Sequence, residues 1–172
     1  MKTESPVVTT GDIEKKNTSK WQSYKLAFAH IDAAISQGFY IEALALEESI
    51  ITDRLDSALL GKGLKSGEQQ SKLFSLSGVL REVKKHPNEF KGLNEHLGKK
   101  GKTFSVLENW KDERNKFVHN VAHGFPEQAV PILAEEYGSR GKKAAVLGKE
   151  LARIICNWSK SEIRAVKSSK KA

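Results

Sequence analysis

From Trp21 to Trp158 the apolar residues return every three or four positions, and no stretch of useful length alternates as a half-buried strand would. A chain patterned this way makes amphipathic helices whose apolar faces must cover one another, so the expected fold is all-α. In WQSYKLAFAHIDAAISQ the face is Trp21, Tyr24, Phe28, Ile31 and Ile35, and Gly38 suits its end. YIEALALEESIITDRLDSALL follows with Ile41, Leu44, Ile51, Leu55 and Leu59. QSKLFSLSGVLREVKKHP carries Leu73, Leu76, Leu80 and Val83, with Pro87 limiting its length. In TFSVLENWKDERNKFVHNVAHG, Thr103 suits an N-cap, and Phe104, Leu107, Trp110, Phe117 and Val121 supply the apolar side. The last long segment, KKAAVLGKELARIICNWSKSEIRAVK, has Val146, Leu151, Ile154, Ile155 and Trp158.

Two intervening stretches read differently. EFKGLNEHLGKKGK is short and weakly amphipathic, and PEQAVPILAEEYGSRG reads as a broken helix because Pro131 removes a backbone donor. The glycine- and lysine-bearing GKGLKSG makes a flexible turn. The expected architecture is an up-and-down bundle of about five main helices with short additions. The three tryptophans fall on the apolar faces, which points to core packing rather than base stacking.

With 172 residues there is room for one core of ordinary size. Residues 1–18 lack apolar periodicity and read as a mobile lead-in, 19–160 as one helical domain, and 161–172 as a basic tail. No apolar run approaches the roughly 18 residues of a membrane span, no secretory signal is evident, and a lone Cys156 forms no internal disulfide. A cytoplasmic protein with no membrane partner is expected. The formal charge is +8, and residues 159–172 hold five bases against one acid. Such a surface attracts phosphate polymers through counterion release, although lysine-rich tails also serve only to solubilise.

KDERNKFVHN, residues 111–120, gathers the chemistry. Arg114 has a permanently charged, planar donor fork that fits phosphate oxygens. Asn115 follows it directly. His119 adds an imidazole, a side-chain type that can give or take a proton. This is equipment for cutting RNA without a metal or other cofactor: a base frees the ribose 2′-hydroxyl, a cation stabilises the phosphorane, and an acid protonates the departing 5′-oxygen. Five residues on an ideal helix turn through about 500°, leaving Arg114 and His119 roughly 140° apart. Either the helix ends or distorts before His119, or the long arginine curls around, whereas Asn115 and His119 share a face. Acid and base are two roles and one motif supplies one histidine, so two copies across a twofold axis are expected.

At these residues the chain resembles the HEPN domains of prokaryotic toxins and antiviral defence systems. Their mark is an arginine, commonly followed by a polar residue, with four to six residues between the arginine and a histidine. Arg114, Asn115 and His119 match its four-residue form. The resemblance implies a dimerising helical bundle that cleaves RNA at a composite cleft, acting as a toxin or abortive-infection effector held down by an antitoxin or other regulatory partner. It makes Arg114, Asn115 and His119 the expected catalytic residues, with Lys116, Asn120 and His123 beside the substrate. The second helix resembles one whose charged residues approach that cleft, which adds Glu48 and Arg54, with Glu47 and Asp53 as further candidates. In family members paired with a nucleotidyltransferase antitoxin, a tyrosine two places after the histidine is modified. Here that position is Val121, so this mode of neutralisation is not expected.

Other readings compete. His119 and His123 lie four apart and share a helical face that suits a metal, but Asn120 stands where a zinc protease carries glutamate. Arg114 also fits an ordinary ion pair with Glu108, Asp112 or Glu113. A non-catalytic helical module that binds nucleic acid, a nucleotide or a regulatory protein is the alternative function.

Overall fold

The structure, a computed structural model, describes residues 10–64, 75–123 and 130–169, with side chains described for 20–64, 75–119 and 135–162. It is an all-helical bundle. Six helices occur among the described residues: α1 (Thr10–Gln37), α2 (Tyr40–Gly61), α3 (Leu76–Lys84), α4 (Lys91–Gly98), α5 (Phe104–His123) and α6 (Val130–Ser169). No helix among them is long and apolar enough to cross a membrane.

Helix α6 is the strut on which α2, α5, α4 and α1 pack. Directions follow from the side-chain pairs. Lys20 reaches Asp53 and Ser57, so α1 runs against α2, while Phe117 meets Gly141 and Trp110 meets Gly148, so α5 runs against α6. Glu47 lies against Gly148 and Lys62 against Glu162, which makes α2 and α6 parallel. The long helices therefore alternate in direction along the chain, as expected of an up-and-down bundle. One cluster of buried side chains, including Ile31, Leu44, Ile51, Leu80, Phe90, Leu107, Ile155 and Trp158, joins all six helices.

The local chemistry explains the boundaries. Gly38 adopts φ +81, a left-handed conformation disfavoured for residues with a Cβ, and turns α1 into α2. Ser75 caps α3 by accepting from the Gly78 N–H at 3.2 Å. Helix α3 ends at Lys84, before Pro87, which was expected to limit its length. Thr103 directly precedes α5, and its carbonyl accepts from Val106 N–H at 3.0 Å.

Several expectations need correction. The first helix begins at Thr10, so half of the expected lead-in is helical, and α6 runs on to Ser169 through the expected tail. Pro131 does not break a helix. It is the second residue of α6, in the first turn, where its missing N–H had no intrahelical partner to lose. Three side chains assigned to apolar faces are instead exposed: Trp21 by 51%, Ile41 by 38% and Val146 by 52%. Trp21 takes Lys25 over its ring at 6.0 Å. Leu73 and Val121 fall outside the described side chains.

Candidate functional site

Helix α5 continues without interruption through His119 to His123, so the arginine and histidine are not brought together by a break before His119. On that continuous helix Arg114 falls between Trp110 and Phe117, which are 1% and 5% exposed, and so points toward the bundle. Its guanidinium reaches across to α2 and pairs with Glu48, while Nη1 donates to the Asn115 side-chain oxygen at 2.9 Å. Both members of the ion pair are mostly buried, at 21% and 24% side-chain exposure. Arg114 Nε is buried with no hydrogen-bond partner. The expected surface partners Glu108 and Glu113 pair elsewhere, with Lys84 and Lys116 respectively.

His119 is exposed on the far side of α5. Lys116, three residues before it, shares that outward side and is held by Glu113 at 2.8 Å. Asn115 stands between the two faces, four residues from His119 and bonded to Arg114. The motif is thus divided around the helix: a desolvated, oriented guanidinium inside, an amide at the boundary, and an imidazole with a lysine outside. The side chains of Asn120 and His123 lie outside the described residues. So does any part they play with His119 in a metal site; among the described residues no three His, Cys, Asp or Glu side chains gather as one.

Arg54 and Asp53 do not join this cluster. They lie more than a turn beyond Glu48, and α2 has rotated them toward α1. There Tyr24 donates to Asp53 Oδ2, Lys20 pairs with Asp53 Oδ1 at 2.8 Å, and Arg54 Nε donates to the Tyr24 oxygen at 2.9 Å with its guanidinium over the ring. Burial and the neighbouring Asp53 carboxylate push the Tyr24 phenol well above its ordinary value. Burial works to raise Asp53, but the hydrogen bonds from Lys20 and Tyr24 and the charges of Lys20 and Arg54 outweigh it, holding this carboxyl below its usual range. Cys156, close enough to feel the Arg54 charge, is nevertheless pushed up by burial and is a poor nucleophile at neutral pH.

Glu47, the neighbour of Glu48, occupies a different environment. It is fully buried, both carboxyl oxygens lack hydrogen-bond partners, and burial raises its pKa to about 9 against the weaker opposing charge of Lys149. It is therefore protonated at pH 7. Room for it comes from Gly148 of α6, where an added Cβ would overlap Glu47 Oε2 and stand 2.7 Å from Trp110 Cζ2. Trp110 itself donates to the Ala144 carbonyl at 2.9 Å. Gly141, two turns earlier, similarly admits Phe117, whose ring stacks on Tyr137 with centroids 4.0 Å apart. The sequence held one signal for this seam: an interior helical glycine costs about 1 kcal/mol against alanine and so marks a close approach.

Compared with protein-family models, with curated proteins and with solved structures, the chain matches none of them.

Proposed function

We propose that the protein is a metal-independent endoribonuclease of HEPN type, working as a homodimer in the cytoplasm as a toxin or antiviral-defence effector under a regulatory partner such as an antitoxin. The observation that carries this reading is the placement of Arg114: mostly buried, oriented by Glu48 and Asn115, with a desolvated Nε, it is a preorganised cation rather than a solvated one. Exposed His119 four residues beyond Asn115 supplies the titratable group, and the basic surface supplies long-range attraction for RNA. In this scheme the 2′-oxygen attacks phosphorus as one imidazole takes its proton. Arg114 stabilises the phosphorane, and the second copy's imidazole protonates the departing 5′-oxygen, leaving a cyclic phosphate. A shared cleft also resolves the division of the motif, because one copy's outward His119 can face the other copy's Asn115 and Arg114.

The Arg114–Glu48 pair favours a second reading. An arginine already neutralised from within the bundle serves structure, and the chain is then a non-catalytic helical module that binds nucleic acid, a nucleotide or a regulatory protein. Incubating RNA in EDTA with wild type, Arg114→Ala and His119→Ala separates the two. The nuclease gives chelator-resistant cleavage that falls roughly a hundredfold or more in either variant. Equal cleavage by all three proteins defeats it, and tight RNA binding without cleavage supports the module.

A further inference from the structure

The opposite end of α6 carries a second group of unsatisfied donors, remote from the α5 motif. Helix α4 begins at Lys91 behind Phe90, whose side chain gives no cap, and its first turn contains no acid. The first-turn N–H groups point out of the helix N-terminus, where the backbone dipole favours negative charge. Of these, Lys91 donates to Asn88 and Leu93 to Phe90, whereas the Gly92 N–H makes no such bond. A helix start alone does not make a site, but Trp158 of α6 supplies an independent sign. It is 0% exposed, its indole Nε1 is buried with no acceptor, and that nitrogen lies 3.3 Å from where a Cβ on Gly92 would stand. A buried N–H without a partner costs about 1 to 3 kcal/mol, so its orientation toward this turn calls for an acceptor.

The acceptor chemistry is visible nearby. Glu162, one turn after Trp158, places Oε1 3.0 Å from the same point beside Gly92 and gives Oε2 to Lys62 Nζ at 2.6 Å. Lys62 in turn stands 5.8 Å from the centroid of the Phe90 ring. An anionic group thus already lies against the α4 start, balanced by Lys62 just after α2, and it is 35% exposed. A Cβ at position 92 would stand 3.0 Å from Glu162 Oε1 and 3.3 Å from Trp158 Nε1, so glycine lets these groups approach the turn, and a larger anion has room there only once the Glu162 carboxylate moves away.

We propose that the first turn of α4, backed by the Trp158 indole and Lys62, is a binding site for a phosphate group, whose place is held in this conformation by the Glu162 carboxylate. Phosphate brings more acceptor oxygens than a carboxylate and satisfies the Gly92 and Trp158 donors together with Lys62. The site is independent of the nuclease reading. Titrating inorganic phosphate into the full 15N-labelled chain tests it, with the Trp158 indole resonance assigned through Trp158→Phe. The Trp158 Nε1–H and Gly92 amide signals move together and saturate. Glu162→Gln, which removes the competing charge, tightens the binding about tenfold, and Lys62→Met weakens it severalfold. Methyl phosphate and dimethyl phosphate then identify the source: tighter monoester binding assigns a terminal or free phosphate, and equal or tighter diester binding a nucleic-acid backbone. If neither signal moves in wild type or in Glu162→Gln, or if all lysine-rich surface amides shift alike without saturation, the proposal fails.

Discussion

The α2–α5–α6 seam and the α1–α2 flank each set an arginine beside a carboxylate of α2, yet they treat polar groups in opposite ways. On the flank, Asp53 receives Lys20, Tyr24 and Arg54 and remains charged and partly wet. In the seam, Glu47 has no partner at all, and Arg114 keeps an unpaired Nε even while it binds Glu48. The flank has the saturated network of an ordinary structural contact. The seam carries unrelieved desolvation, which folding alone gives no reason to retain, and such sites are where function is expected. That asymmetry sets Arg114 apart from Arg54.

Glu47 is where the seam departs furthest from the flank, and the largest effect is expected there. Its folded pKa lies above its unfolded value, so between about pH 4.5 and pH 9 the native state binds the extra proton and stability falls as pH rises. Glu47→Gln removes that dependence and stabilises the bundle at pH 7 by up to about 3 kcal/mol, with a gain that shrinks toward pH 4.5. Urea denaturation at several pH values reads it; a pH-independent difference would show that Glu47 is not kept neutral by burial. Gly148→Ala comes next. Despite alanine's better helix propensity, the overlap with Glu47 and Trp110 costs about 2 kcal/mol in the same assay, and pairing it with Glu47→Ala recovers only the part due to Glu47, the Trp110 overlap remaining.

Glu48→Ala strands a mostly buried guanidinium and costs about 1 to 2 kcal/mol. Its effect on RNA discriminates further: a nuclease loses turnover along with the orientation of Arg114, while an arginine that is only structural leaves RNA binding unchanged. Smallest is Asp53→Asn on the flank, under about 1 kcal/mol because the pair is exposed to solvent and screened. Its folded pKa is lowered, so its contribution is present above the unfolded value and disappears as pH falls through the folded one. Thermal unfolding between pH 2 and pH 5 should show the difference between variant and wild type closing at the acid end.

The helical period carried the architecture. Leu44, Ile51, Leu55, Leu59, Leu107, Trp110, Leu151 and Trp158 are buried where their spacing placed them. What the period missed depends on neighbours. Trp21, Ile41 and Val146 fit an apolar stripe, but no helix covers them, and one chain segment does not state where its partner ends. Pro131 looked like an interruption because its place in the first turn depends on where α6 starts. At the site, spacing along α5 anticipated that Arg114 and His119 would not share a face. The pairing of Arg114 with Glu48 was not legible: the sequence offered Glu108, Asp112 and Glu113 as partners and Glu48 only as a residue near the cleft, because about forty residues of chain separate α2 from α5. The burial of Glu47 had no sequence signal of its own: two adjacent glutamates look alike until the helix is given a rotation.

Helix α6 has 40 residues, about 60 Å of unbroken helix. Along it, Gly141 and Gly148 meet α2 and α5, and Trp158 meets the start of α4, so the relative orientation of these two contacts is fixed by residue count alone. Inserting a single alanine after Leu151 would turn everything beyond it by about 100° and swing Trp158 out of register with Phe90 and Gly92, whereas a seven-residue insertion would nearly restore the angle but displace it by about 10 Å. The two ends of the molecule are thus phase-locked by one helix, and the length of that helix is as much a determinant of the fold as any side chain on it.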